Sequence, residues 1–112
     1  MIGKDLDIRC IVAIVERGKA DKIVESAKDA GASGATVFYG RGTGESEVKR
    51  FLNIHIEASK EIIIILTESS KKNEIMKAMV EAGELKKPGT GIIFTVTISD
   101  LIGLHHRRDF EE

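Results

Sequence analysis

Tryptophan is absent, tyrosine, proline and cysteine occur once each, and aromatic residues make up only 4% of the 112-residue chain. A lone cysteine, Cys10, has no partner for an internal disulfide and no second thiol with which to hold zinc. The scarcity of aromatics removes the platforms on which a sheet stacks RNA bases, because Phe38, Tyr39 and Phe94 do not form that pattern. Nor is there an excess of either charge: 17 basic side chains oppose 18 acidic ones, for a formal net charge of −1. That balance argues against a protein whose main partner is nucleic acid or an anionic membrane surface, a local patch aside. No apolar run reaches the ~18 residues of a membrane span, and Met-Ile-Gly-Lys-Asp-Leu-Asp has no signal-peptide pattern. The expectation is one soluble, cytoplasmic domain over 1–112, without membrane insertion.

What the chain has instead is aliphatic: 16 isoleucines within a hydrophobic share of 42%, set against 31% charged residues. Such a composition is globular and not disordered. Ile, Val and Thr concentrate in 8–16, 35–41, 61–68 and 92–100, which read as strands, and 52–57 alternates as a hairpin extension ahead of the third. Apolar residues recur at helical spacing in 19–30, where Gly31 stands as a stop, and in 71–82, ending at Gly83. Ser69 or Ser70 is the expected cap of the second helix.

The two halves align without a gap at a shift of 52 residues. Ile11 falls on Ile63, Glu16 on Glu68, Lys19 on Lys71, Ile23 on Ile75, Ala30 on Ala82 and Gly31 on Gly83. The predicted order is therefore β-α-β-β-α-β, an α+β ferredoxin-like antiparallel sheet with two helices on one face. Both alternations of the strands are apolar, as in Ile62-Ile-Ile-Ile-Leu66, yet two helices cover only one face. Leaving the other face wet forgoes about 1.5–3 kcal/mol for each large side chain, so self-association through that face is expected.

Chemistry concentrates in two glycine-rich loops, Gly40-Arg41-Gly42-Thr43-Gly44 and Lys86-Lys87-Pro88-Gly89-Thr90-Gly91, both expected beside central strands. Glycines let the backbone turn its N–H groups toward an anion at close approach, and Arg41, Lys86 and Lys87 add charge. Plain connections that need positive φ are the simpler reading of each loop alone. Neither matches Gly-x4-Gly-Lys-Ser/Thr. The polar stretch that follows the first loop is an exposed tip, within 42–51, and 105–112 is a charged tail. His105 and His106 are adjacent, a poor ligand spacing, and His55 sits on a polar alternation, so no metal site is assigned. Cys10, in phase with Ile8, Val12 and Ile14, reads as a buried structural thiol. No nucleophile–base set or convergent carboxylate pair is present, so the chain is not read as an enzyme.

Ile-Val-Ala-Ile-Val-Glu-Arg-Gly-Lys-Ala, Ala-Gly-Ala-Ser-Gly-Ala-Thr-Val, Gly-Arg-Gly-Thr-Gly and Lys-Pro-Gly-Thr-Gly-Ile-Ile-Phe-Thr-Val together resemble the P-II nitrogen regulatory family from about Ile8 to Leu104. The resemblance implies a cytoplasmic homotrimer with inward-packed sheets and no required cofactor. It implies that an adenine nucleotide (AMP, ADP or ATP), or another small anion, is bound between subunits. It also implies a mobile loop that regulates a partner protein of nitrogen metabolism or transport, often a membrane transporter. On this resemblance Thr36 contacts the adenine end. Gly40, Arg41 and Gly42 form the base of the partner loop, and Lys87, Gly89, Thr90 and Gly91 cradle phosphate. The partner loop is Gly44, Glu45, Ser46, Glu47, Val48, Lys49 and Arg50.

Several family positions differ. The loop has no modifiable tyrosine, so uridylylation is not implied. Gly42 replaces a glutamine that helps hold magnesium and 2-oxoglutarate, and Ser59 stands nearest the oxoglutarate-contacting lysine, with Lys60 one position off. Ile92 replaces a phosphate-binding lysine, and Gly103 and His105 replace an Arg-x-Arg pair, with Arg107 and Arg108 further on. A nucleotide with fewer phosphates, or a different anion, is the effector this pattern implies. The divalent-ion tolerance family shares the architecture and offers an alternative, a metal-responsive trimer using His55, His105 and His106. A purely structural accessory subunit is the third reading.

Overall fold

The computed structural model describes residues 7–42 and 58–103; the predicted loop tip Gly44–Arg50, the strand at 52–57, His55, His105 and His106 lie outside the described residues. Four strands, β1 (Ile8–Glu16), β2 (Thr36–Gly42), β3 (Ala58–Glu68) and β4 (Gly91–Thr97), alternate with helices α1 (Ala20–Asp29) and α2 (Ser69–Gly83) in the order β1-α1-β2-β3-α2-β4. The sheet order is β2-β3-β1-β4 and every neighbouring pair is antiparallel. This is the ferredoxin-like α+β fold expected from the strand and helix periods.

Odd-numbered positions of β1 and β3 point toward the helices. Ile11, Ala13 and Val15 of β1 and Ile63 and Ile65 of β3 are fully buried there, against Ala20, Ile23 and Ala27 of α1 and Ile75 and Met79 of α2. Even-numbered positions form the opposite face in apolar rungs. Phe38, Ile62, Ile14 and Ile92 lie in one, Thr36, Ile64, Val12 and Phe94 in the next, and Leu66, Cys10 and Val96 in the third. Within the single chain Phe38, Ile92, Phe94 and Val96 remain 41–57% exposed. The two-faced apolar sheet read from the isoleucine run is present, with one face uncovered. Cys10 is half-buried on that face, not enclosed in the core as expected.

The strand pairing bears on the internal repeat. Val12 faces Ile64, its own equivalent at the shift of 52, so a pseudo-twofold axis runs through this pair. Thr36, opposite Ile64, has Phe94, opposite Val12, as its counterpart at a shift of 58. Six more residues therefore separate Gly83 from Phe94 than separate Gly31 from Thr36, in a stretch that contains Gly89, Thr90 and Gly91.

Four local expectations are corrected. Strands β2 and β4 are the sheet edges, not central strands, because β3 returns between β2 and β1. Strand β4 stops at Thr97 instead of running to 100, since its partner β1 begins at Ile8. Glu68, not Ser69 or Ser70, occupies the N-cap position of α2 and makes no side-chain capping bond, and the Ser69 N–H donates to the Asp7 carbonyl at 2.7 Å. Finally, Gly31 adopts φ +118° beyond α1 as a stop should, whereas Gly83 is still helical and Glu84 takes the left-handed conformation. Gly83 is needed for closeness: a Cβ there would stand 2.8 Å from Ile23 Cδ1, and Leu85 packs beside it.

Candidate functional site

Six of the described site residues gather at one end of the sheet. Gly40, Arg41 and Gly42 close β2, paired with Lys60, Ser59 and Ala58 of β3, and Gly89, Thr90 and Gly91 lead into β4. Thr36 starts β2 on the same face as Gly40, about 13 Å away along the strand. Arg41 alternates to the opposite face, with Tyr39, which is 70% exposed. One rung, Tyr39–Glu61–Val15–Gly91, crosses the entire sheet at this end. It contains three inter-strand steps of about 4.8 Å, so the two glycine clusters stand about 14 Å apart on opposite edges. They are the two candidate half-sites of one chain.

The second half-site is a compact turn with Glu84 at its centre. The Lys87 N–H donates to the Glu84 carbonyl at 3.0 Å, and the Thr90 hydroxyl lies 3.0 Å from that carbonyl and 2.8 Å from the Lys87 carbonyl. The Lys87 ammonium donates to Glu84 Oε1 at 2.8 Å. This bond and the Lys87 charge hold the Glu84 carboxyl below its usual range, with Lys22 and Lys19 at the start of α1 adding to the effect. The same pair raises Lys87. Thr90 is thus engaged in shaping the loop, and Lys87 already holds a carboxylate.

Two glycines here have different reasons. Gly89 has φ +80° and open space around it, so conformation alone selects it. Gly91 has φ +150°, and a Cβ would lie 2.6 Å from the Ile14 carbonyl oxygen on β1. Its bareness lets the loop enter the sheet flush against the neighbouring strand.

Glu61 and Glu84 are the residues sequence reasoning missed. Glu61 is buried at the foot of β3, and its Oε1 accepts the N–H groups of Gly18 at 2.7 Å and Ala20 at 2.9 Å. It caps α1, whose own cap residue Lys19 makes no side-chain bond. Its signal was available, as a carboxylate in phase with the buried Ile63 and Ile65. Glu84 had none, since only the folded loop brings Lys87 back to it.

Elsewhere, a groove of about 530 Å³ between the helices, lined by Ser26, Asp29, Ala30, Ala78, Glu81 and Ala82, contains none of the predicted site residues. Among the described residues no three His, Cys, Asp or Glu side chains converge to hold a metal, and no helix is long and apolar enough to cross a membrane.

A four-stranded antiparallel sheet under two helices, with glycine-rich loops at one end, defines a ferredoxin-like domain. The model of the family "Nitrogen regulatory protein P-II" matches residues 8–108. The chain belongs to the P-II nitrogen regulatory protein family, whose members are regulatory signalling proteins and not enzymes. Among solved structures it is similar to Arabidopsis thaliana PII bound to citrate, with a TM-score of 0.70 and 21% identity over 88% of this chain and 84% of that one. At that identity the likeness concerns the fold. No individually curated protein matches the chain.

Proposed function

We propose that this chain is a homotrimeric P-II-type signalling protein that binds a small anionic effector between subunits. Binding is transmitted to a regulated partner protein through the segment containing Gly44–Arg50. The observation that supports this reading best is the placement of the two glycine half-sites on opposite edges of one sheet. Within a single chain the width of the sheet separates the two, whereas one ligand touches both where edge β2 of one copy meets edge β4 of another. The uncovered face of Val12, Ile14, Ile62, Ile64, Phe94 and Val96 supplies the apolar surface that draws copies together. Within the cleft Thr36 stands at the base end of an adenine nucleotide, Gly40, Arg41 and Gly42 line its middle, and Lys87, Gly89, Thr90 and Gly91 face its anionic end. The effector class is an adenine nucleotide of few phosphates, or a small carboxylate of the kind seen in the plant structure named above. Ligand contacts that differ between two loop arrangements shift their populations, and that shift is what the partner, such as a transporter, reads.

Light scattering of the purified chain tests the trimer. Calorimetric titration with AMP, ADP, ATP, cyclic AMP, citrate, bicarbonate and 2-oxoglutarate tests the effector. Expected is a trimer that binds one of these with weakened affinity on Arg41→Ala or Gly89→Ala. A monomer, or a ligand-free trimer silent to every titrant, overturns the reading.

A further inference from the structure

The residue that ends α2 in the left-handed conformation is Glu84, with φ 53° and ψ 41°. Glycine, or asparagine, is the usual occupant of such a position, because any Cβ is crowded there. The backbone duties of this residue, accepting from Lys87 N–H and the Thr90 hydroxyl, need only a carbonyl, so they do not account for a carboxylate. What the carboxylate does is hold the Lys87 ammonium at 2.8 Å, at the mouth of the loop that ends in Gly89–Thr90–Gly91. An anion that approaches Lys87 therefore meets a fixed negative charge one hydrogen bond away. Repulsion between like charges grows in proportion to the charge of the incoming group, whereas the hydrogen bonds offered by the loop do not.

We infer that Glu84 selects the effector by charge: it disfavours polyphosphates relative to monophosphates and carboxylates at the α2–β4 loop. This rests on the anion-site reading above and adds what the site rejects. Lys87 is the loop ammonium that Glu84 holds, so Glu84 acts directly on a charge that an incoming anion meets.

The test is calorimetric titration of AMP and ATP, without divalent metal, into the native chain and into Glu84→Gln and Glu84→Asn. Asparagine tolerates the left-handed conformation, which keeps one uncharged variant folded even where glutamine perturbs the turn. Removal of one charge about 6 Å from an anion in water changes affinity about three-fold per unit of anion charge. The expected result is an ATP-to-AMP affinity ratio that rises about ten-fold or more in both variants at low ionic strength, with the gain shrinking at physiological salt. An unchanged ratio in two folded variants overturns the charge-selecting role while leaving the anion site intact. Absence of binding by either nucleotide to all three proteins overturns the nucleotide reading and this inference with it.

Discussion

The N–H of Ala20, the first residue of α1, donates to the carboxylate of Glu61 on β3 at 2.9 Å, across 41 residues of sequence. Gly18 N–H joins the same oxygen at 2.7 Å, so one buried side chain satisfies two donors of the β1–α1 connection. It also places negative charge at the positive end of the helix. Glu61→Ala leaves both donors without an acceptor and is expected to cost about 2–4 kcal/mol. Glu61→Gln keeps an acceptor and costs less. Urea denaturation measures both, and an unshifted midpoint for the alanine variant refutes the capping role.

The two loop glycines separate conformational need from steric need. Gly89→Ala meets open space at φ +80° and is expected to cost about 1–2 kcal/mol. Gly91→Ala adds a methyl 2.6 Å from the Ile14 carbonyl oxygen and is expected to cost about 3 kcal/mol or more. Hydrogen exchange should show the Gly91 loss concentrated in the pairing of β4 with β1. Equal costs for the two variants contradict the assignment.

In the trimer proposed above, Phe94, opposite Val12 on the uncovered face, is expected to sit between subunits. Phe94→Asp removes an apolar contact and buries a charge at that surface, so the trimer should dissociate into folded monomers. Size-exclusion chromatography with light scattering reads the outcome, and circular dichroism confirms that the monomer retains its secondary structure. A variant that elutes as the parent does contradicts the packing.

Cys10 stands in the rung of Leu66 and Val96 on this same face, and burial pushes its thiol up from the ordinary range. Alkylation by iodoacetamide at neutral pH should be slow in the native protein and faster in Phe94→Asp, where the face is open to solvent. Identical rates in both proteins would place Cys10 away from the interface.

The Glu84–Lys87 pair should order the loop over a wide pH range. Glu84 is lowered, so its contribution is complete above the ordinary carboxylate range and is lost as pH falls through the lowered value. Lys87 is raised, so its contribution is lost only as pH climbs through the raised value. Carboxyl carbon shifts in NMR titration should show Glu84 protonating later than exposed glutamates as acid is added. Coincident titration would show that the pair is not formed in solution.

Much of this architecture was legible because it follows from local periods. The unbroken isoleucine run of 62–65, the helical stripe of Ile23 and Ala27 and the turn glycine Gly31 each act through neighbours a few residues away. The repeat was legible for the same reason, and the pairing of Val12 with Ile64 places its axis. Gly83 was misread because a helix stop and a helix contact both select glycine, and only the nearness of Ile23 distinguishes them. Ser69 was misread because a serine before a helical stripe resembles a cap, while the acceptor it meets, the Asp7 carbonyl, comes from the other half of the chain.

For the candidate site the division falls in the same place. The chain's own residues determined which loops are rich in glycine, that few aromatics and balanced charge give no nucleic-acid signature, and that the sheet carries more apolar face than two helices cover. These properties depend on composition and short-range pattern. Only the tertiary structure decided that β2 and β4 are edges, that the two glycine clusters stand about 14 Å apart on those edges, and that Glu61 and Glu84 supply the carboxylates that hold this end together. Such facts depend on which distant segments meet, and strand order is set by how the whole chain packs.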